Sequence, residues 1–196
     1  MVRLPLKKQR MLHDKRIILL SLARTAISET LGQPLKDFVP HDAGWLKEKA
    51  ACFVTLKTHG SLRGCVGTLE ARRSLFEDIH GNAIAAALHD PRFPPMTMDE
   101  LAIITIEVSL LSSVCKLNVH SEEETITKLR PGLDGVVLRF GHKKATFLPQ
   151  VWEQLPDGHQ FLAQLRLKAG LAPDFWDPGV LVYIYQVDKF SEAGVE

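Results

Sequence analysis

Residues 51–68, ACFVTLKTHGSLRGCVGT, decide the fold. Two β-like runs, 51–57 (ACFVTLK) and 61–68 (SLRGCVGT), flank His59 and Gly60, and a glycine-containing loop between such runs predicts a hairpin with Cys65 on its second strand. Strand alternation then puts Arg63, Cys65 and Gly67 on one face and Leu62, Gly64, Val66 and Thr68 on the other. Gly64 and Gly67 weaken a strand, yet they let another backbone or a ligand approach closely.

Working outward, Ser74 and Glu77 stand at capping-box spacing ahead of an apolar face of Leu75, Ile79, Ala83 and Ala86, which predicts a helix ending near Asp90. The three prolines of 90–95 (DPRFPP) fix φ and remove donors, so this segment reads as a stiff extended connector. Residues 102–111 (AIITIEVSLL) alternate, with Ile104, Ile106, Val108 and Leu110 against Thr105, Glu107 and Ser109, and predict the strongest strand of the chain. Further along, Ser121 and Glu124 cap a short helix, 136–140 and 143–148 form a second hairpin about Gly141 and His142, and Asp157 caps a helix with Phe161, Leu162, Leu165 and Ala169 as its core stripe. Gly170 suits the left-handed stop of that helix, and Val180 to Val187 reads as a late strand. On the other side of the hairpin, a first helix is expected from about Asp14, as its cap, to Leu31, followed by a polar loop through Gly44. Helices interleaved with hairpins, without βαβ spacing, give an α+β class with a largely antiparallel sheet and flanking helices. The expected organisation is one domain over residues 1–196 with a flexible N-terminus at 1–11.

The chain has 196 residues, 45% of them hydrophobic, enough for one sizeable core or two small lobes without disulfides. Its 24 Lys and Arg against 23 Asp and Glu leave a net charge of +1, which provides no summed field for nucleic acid or an anionic membrane. Cys52, Cys65 and Cys115 are odd in number and contain no CxxC pair, which argues for a reducing compartment over a disulfide framework or structural zinc. The basic start before Ile17–Leu20 imitates a signal peptide, but Arg24 interrupts the apolar run, and a cytoplasmic protein without a membrane span is expected.

A guanidinium beside a thiol stabilises the thiolate, so Arg63 and Cys65 are candidates for an activated cysteine; the alternative is a small buried Cys65 whose glycines relieve packing. Asp90 and Arg92, in the proline-fixed loop, suit orientation of a substrate or binding of a carboxylate, or an internal ion pair holding the loop. Glu107, mid-strand in apolar surroundings, is an acid or base candidate whose pKa is expected to rise if its face is covered. His59 reaches the thiol only if the turn folds inward. His80 and His89, nine residues and about 2.5 turns apart, do not share a face for one metal. No metal site or cofactor is predicted, since GxxxxGK[ST], GxGxxG after a strand and HExxH are all missing.

Taken together, LRGCVGTL at 62–69, DPRFPP at 90–95, IEVSLL at 106–111, ATFLPQVW at 145–152 and KAGL at 168–171 resemble, in order and spacing across about 50–190, the AMMECR1 family, including the A component of AmmeMemoRadiSam systems. The family's LRGCIG pattern differs here only at Val66. The resemblance implies an α+β fold of two interleaved subdomains about one cleft with this strand near their junction, and association with Memo-like and radical SAM proteins. The chain carries no CxxxCxxC cluster motif, so radical chemistry belongs to such a partner. Two functions are expected to compete: a binding or accessory module in which Arg63, Gly64, Gly67, Asp90 and Arg92 hold a small ligand or partner segment, and a Cys65-dependent enzyme of acyl or alkyl transfer in which Glu107 or His59 handles protons.

Overall fold

The hairpin that opens the reading forms because its turn residues accept left-handed backbone. In the computed structural model, which describes residues 6–33 and 43–194, β1 (Ala51–Thr58) and β2 (Ser61–Gly67) pair antiparallel across His59 and Gly60, at φ 51° and 80°. Positive φ at both central residues matches the twist of the flanking strands. The ladder slips between Leu56 and Lys57: Gly64 faces Leu56, Leu62 faces Lys57, and Arg63 is left over in a bulge. The extra residue re-aims the bulged side chain, so simple alternation between Arg63 and Cys65 does not hold.

β3 (Ile104–Leu111) pairs antiparallel with the far side of β1. With β8 (Val187–Ser191) it completes a four-stranded sheet of order β2-β1-β3-β8. Two helices, α1 (Leu6–Thr30) and α2 (Leu75–Leu88), bury their apolar faces in one core with this sheet, where Leu22, Ile27, Val54, Leu56, Ile79, Ile106 and Val108 lie. The Ser74–Glu77 capping box starts α2 as its spacing predicts. The first helix begins at Leu6 rather than Asp14, so Asp14 lies within it instead of capping it. Of the expected flexible N-terminus, residues 1–5 lie outside the described residues, as do 34–42 of the polar loop.

The chain divides into two units, Met1–Leu111 with Asp188–Glu196, and Ser112–Val187. The second has its own antiparallel sheet, ordered β4 (Cys115–Leu117), β7 (Leu181–Tyr185), β5 (Gly135–Phe140), β6 (Lys143–Phe147), with α3 (Glu122–Lys128) and α4 (Gly158–Lys168). Its core joins Val136, Leu138, Phe161, Leu162, Leu165 and Val182, and Trp152 stacks on Phe161 at 3.7 Å between ring centres. Asp157 caps α4 and Gly170 takes φ 74°, both as expected. The late strand expected over Val180 to Val187 is β7, which ends before Gln186, whose N–H donates to Ser112 Oγ at 2.9 Å while its carbonyl accepts from Ser112 N at 2.9 Å; Val187 already belongs to β8 in the other sheet. Among the described residues no helix is long and apolar enough to cross a membrane.

One close approach sets where β2 lies on α2. A Cβ placed on Gly64 would sit 2.1 Å from the Ala86 carbonyl oxygen, so only glycine lets the strand rest on the helix backbone. Gly64→Ala is expected to cost about 2–3 kcal/mol, as overpacking against immovable backbone does. Gly44→Ala, with no atom within 4 Å of the new methyl, is expected within about 0.5 kcal/mol of the parent. Denaturant midpoints of the two variants check the contrast.

Candidate functional site

α2 ends at Leu88, and the next turn carries Asp90 to the outer edge of β2. There Asp90 Oδ2 accepts from Cys65 N at 2.8 Å, and Arg92 Nη2 donates to Cys65 O at 3.2 Å. The same guanidinium donates to both carboxylate oxygens, Nε to Oδ1 at 2.9 Å and Nη2 to Oδ2 at 2.7 Å. An aspartate and an arginine thus occupy the main-chain groups that an edge strand otherwise offers to another chain. The Arg92 hydrogen bonds hold the Asp90 carboxyl far below the usual range against the opposing effect of burial, with the Cys65 and Arg92 amides assisting. Of the two expectations for this loop the internal ion pair is present, and it fixes the main chain of Cys65.

Arg63, re-aimed by the bulge, gives its fork to Glu100: Nε to Oε1 at 2.5 Å and Nη2 to Oε2 at 3.1 Å, with Nη2 also donating to Pro94 O at 3.0 Å. Its remaining nitrogen, Nη1, is buried and has no partner among the described residues. Hydrogen bonds from Arg63, against burial and with help from the Thr97 amide, bring the Glu100 carboxyl down to about 2. The Arg63 and Arg92 guanidinium carbons stand 5.8 and 5.6 Å from the centre of the Phe93 ring, within cation–π range.

Cys65 is half-buried, and its sulfur accepts from Thr55 Oγ1 at 3.3 Å. Thr55 pairs across with Cys65 on one side and Glu107 on the other, so the three form one row on a sheet face. Two strand spacings separate Glu107 from Cys65, about 10 Å. Burial pushes the Glu107 carboxyl up, but hydrogen bonds and charge from Lys189 at 2.9 Å and Lys57 at 3.1 Å outweigh it and leave it below the ordinary range. The expected rise does not occur, because two lysines reach a carboxylate that the sequence shows only among apolar neighbours. His59 lies at the hairpin turn, six residues or about 20 Å of extended chain from Cys65, so it is no base for that thiol. Gly67, like Gly64, is a tight position: a Cβ there would lie 2.3 Å from the Phe53 ring and 2.6 Å from Cys52 O.

A polar cluster just past the C-terminal end of β2 carries no expectation from the sequence. Asp78, fully buried, accepts from Cys52 N at 2.8 Å, Thr68 Oγ1 at 2.7 Å, Arg73 Nε at 2.8 Å and Asn82 Nδ2 at 3.0 Å. The signal was present: positions 78 and 82 fall in the same helical stripe as 75, 79, 83 and 86, where a polar residue must be buried and satisfied. Burial and the Asp78 charge both push the Cys52 thiol up, which keeps it protonated beside this cluster.

The fold and site define an α+β protein with two open antiparallel sheets, organised about a glycine-lined edge strand that the following Asp-Pro-Arg loop locks. The chain belongs to the AMMECR1 family, whose model matches residues 20–190. It is 40% identical over 150 residues to protein MJ0810 of Methanocaldococcus jannaschii, covering 74% of this chain and 75% of the relative. A Methanothermobacter thermautotrophicus protein is 38% identical over 184 residues, covering 92% and 96%. The crystal structure of the uncharacterized protein PH0010 from Pyrococcus horikoshii superposes with TM-score 0.71 at 36% identity, covering 89% of each chain.

Because the Glu100 pKa is depressed on folding, its pair with Arg63 stabilises fully above about pH 5 and loses that contribution as pH falls towards about 2. The stability difference between the parent and Glu100→Gln is therefore expected to be constant above about pH 5 and to shrink below about pH 4.5 in chemical denaturation. A difference that does not change with pH contradicts this.

Proposed function

We propose that the protein is a cytoplasmic binding or accessory module: Arg63 to Gly67, with Asp90 and Arg92 of the 90–95 loop, holds a small ligand or partner segment in a pathway shared with Memo-like and radical SAM proteins. The observation that carries this reading is Arg63 Nη1, a buried donor without an acceptor among the described residues, in a side chain otherwise held by Glu100 and Pro94. Buried donors in native proteins almost always have acceptors, and in this reading the acceptor is an oxygen of the bound molecule. Arg92 and Phe93 extend the same surface with a second guanidinium and an aromatic face. Three free cysteines are consistent with a reducing compartment. The family resemblance supplies the pathway.

A second reading rests on the half-buried Cys65 thiol and its Thr55 hydrogen bond, with Cys65 as nucleophile of acyl or alkyl transfer. Glu107, paired with two lysines and two strands away, is poorly placed as its base, which favours the binding reading.

Arg63→Lys keeps a positive charge for Glu100 but loses the planar fork. It is expected to weaken retention of the Memo-like or radical SAM partner, or of a co-purified small molecule, by about tenfold or more, while Cys65→Ser leaves retention unchanged. Pull-downs and native mass spectrometry, with melting curves to confirm folding, read this. Equal retention by folded Arg63→Lys overturns the binding reading, and loss confined to Cys65→Ser transfers support to the enzyme.

A further inference from the structure

Past the end of β2 the surface opens into a pocket of about 470 Å³ lined by Thr68, Leu69, Glu70, Arg72, Arg73 and Asp78. Its floor is the Asp78 carboxylate, whose charge is already met by two side-chain donors, a hydroxyl and the Cys52 amide. A ligand entering the pocket therefore meets the accessible groups: Arg72, Arg73 and Glu70. Their charges balance in pairs, Arg72 with Glu70 at 2.7 Å and Arg73 with Asp78 at 2.8 Å, so what the pocket offers a ligand is the guanidinium N–H groups that these pairs leave over.

Arg73 is held rigidly. Nε donates to Asp78 Oδ1 at 2.8 Å and Nη2 to Asn82 Oδ1 at 3.1 Å, so the plane of the fork is set by two side chains one helical turn apart on α2. Nη1 donates to no described residue, and the side chain is 41% exposed. The guanidinium lies against Gly81, in the interior of α2, where a Cβ would stand 3.0 Å from Nη1 and 3.3 Å from Cζ and Nη2. Glycine inside a helix costs about 1 kcal/mol relative to alanine, and here it leaves the space the guanidinium fills. An arginine held by two side chains before binding, in the lining of a pocket and with one nitrogen still without an acceptor among the described residues, is preorganised for an oxyanion.

We infer that this pocket binds the carboxylate or phosphate group of a small molecule, with Arg73 as the fixed donor and Arg72 as a second cation at the rim. The site is separate from the Cys65 clamp and shares none of its residues.

The test is titration of the full chain with inorganic phosphate and, separately, with acetate, at constant ionic strength made up with chloride, following backbone amide resonances by heteronuclear NMR. Saturable shifts centred on residues 68–73 with either anion are expected, and the responding anion assigns the group. Arg73→Lys, which keeps charge but loses the fork, and Gly81→Ala, which displaces the guanidinium, are each expected to raise the dissociation constant at least about tenfold. No saturable response to either anion overturns the assignment. So does an affinity unchanged in whichever of the two variants retains the parent spectrum elsewhere.

Discussion

The contact between Gly64 and the Ala86 carbonyl sets the geometry from which the rest of the candidate site follows. With no side chain between them, β2 lies directly on the C-terminal half of α2. The helix then ends level with the middle of the strand, and the residue two beyond its end, Asp90, arrives beside the Cys65 amide. A strand held farther off by a methyl group would put that amide out of the carboxylate's reach. The proline-fixed loop turns back from the same point, which brings Arg92 onto Cys65 O and Phe93 between two guanidinium groups.

Two buried aspartates act as hubs along this strand, one beside Cys65 and one just past its C-terminal end at Thr68. Asp90 ties Cys65 to Arg92, and Asp78 ties Cys52, Thr68, Arg73 and Asn82 together around the start of α2. Each carboxylate is buried, and each is met by an arginine and by main-chain or side-chain donors. Such pairs contribute little as isolated attractions, but losing one partner leaves a buried charge uncompensated and is strongly destabilising. The two hubs therefore specify how strand, helix and loop meet. Arg63 Nη1 is the departure from this pattern, a buried donor in the same surface without an acceptor among the described residues.

Local chemistry was legible in the sequence. The turn at His59 and Gly60, the capping residues Ser74, Ser121 and Asp157, and the left-handed Gly170 all depend on neighbours within a few positions, and all appear as read. The α+β class and the family followed from the same strings of residues. Pairings across sequence distance were not legible. The bulge at Arg63 depends on the partner strand's register, and Lys189 reaches Glu107 from 82 positions away in an edge strand that lies beyond the expected Val180–Val187 strand. Asp78 and Asn82 share the buried stripe of α2 with Leu75, Ile79, Ala83 and Ala86, where apolar periodicity alone does not mark a polar residue that is buried and satisfied. The single expected sheet became two because the chain leaves the first after Leu111 and returns only at Val187, a choice made at Ser112 and Gln186 by hydrogen bonds between them.

Asp90 takes the place of a strand partner at Cys65, and amide hydrogen exchange at Cys65 is the direct test of that role. An outward-facing amide on an edge strand exchanges freely unless something accepts its hydrogen bond. The Cys65 amide in the parent protein is expected to be protected to about the level of Val54 and Val66 inside the β1–β2 pair. Asp90→Ala is expected to release Cys65 alone while those neighbours stay protected. A Cys65 amide that already exchanges as an open edge in the parent, or one that stays protected in folded Asp90→Ala, contradicts it.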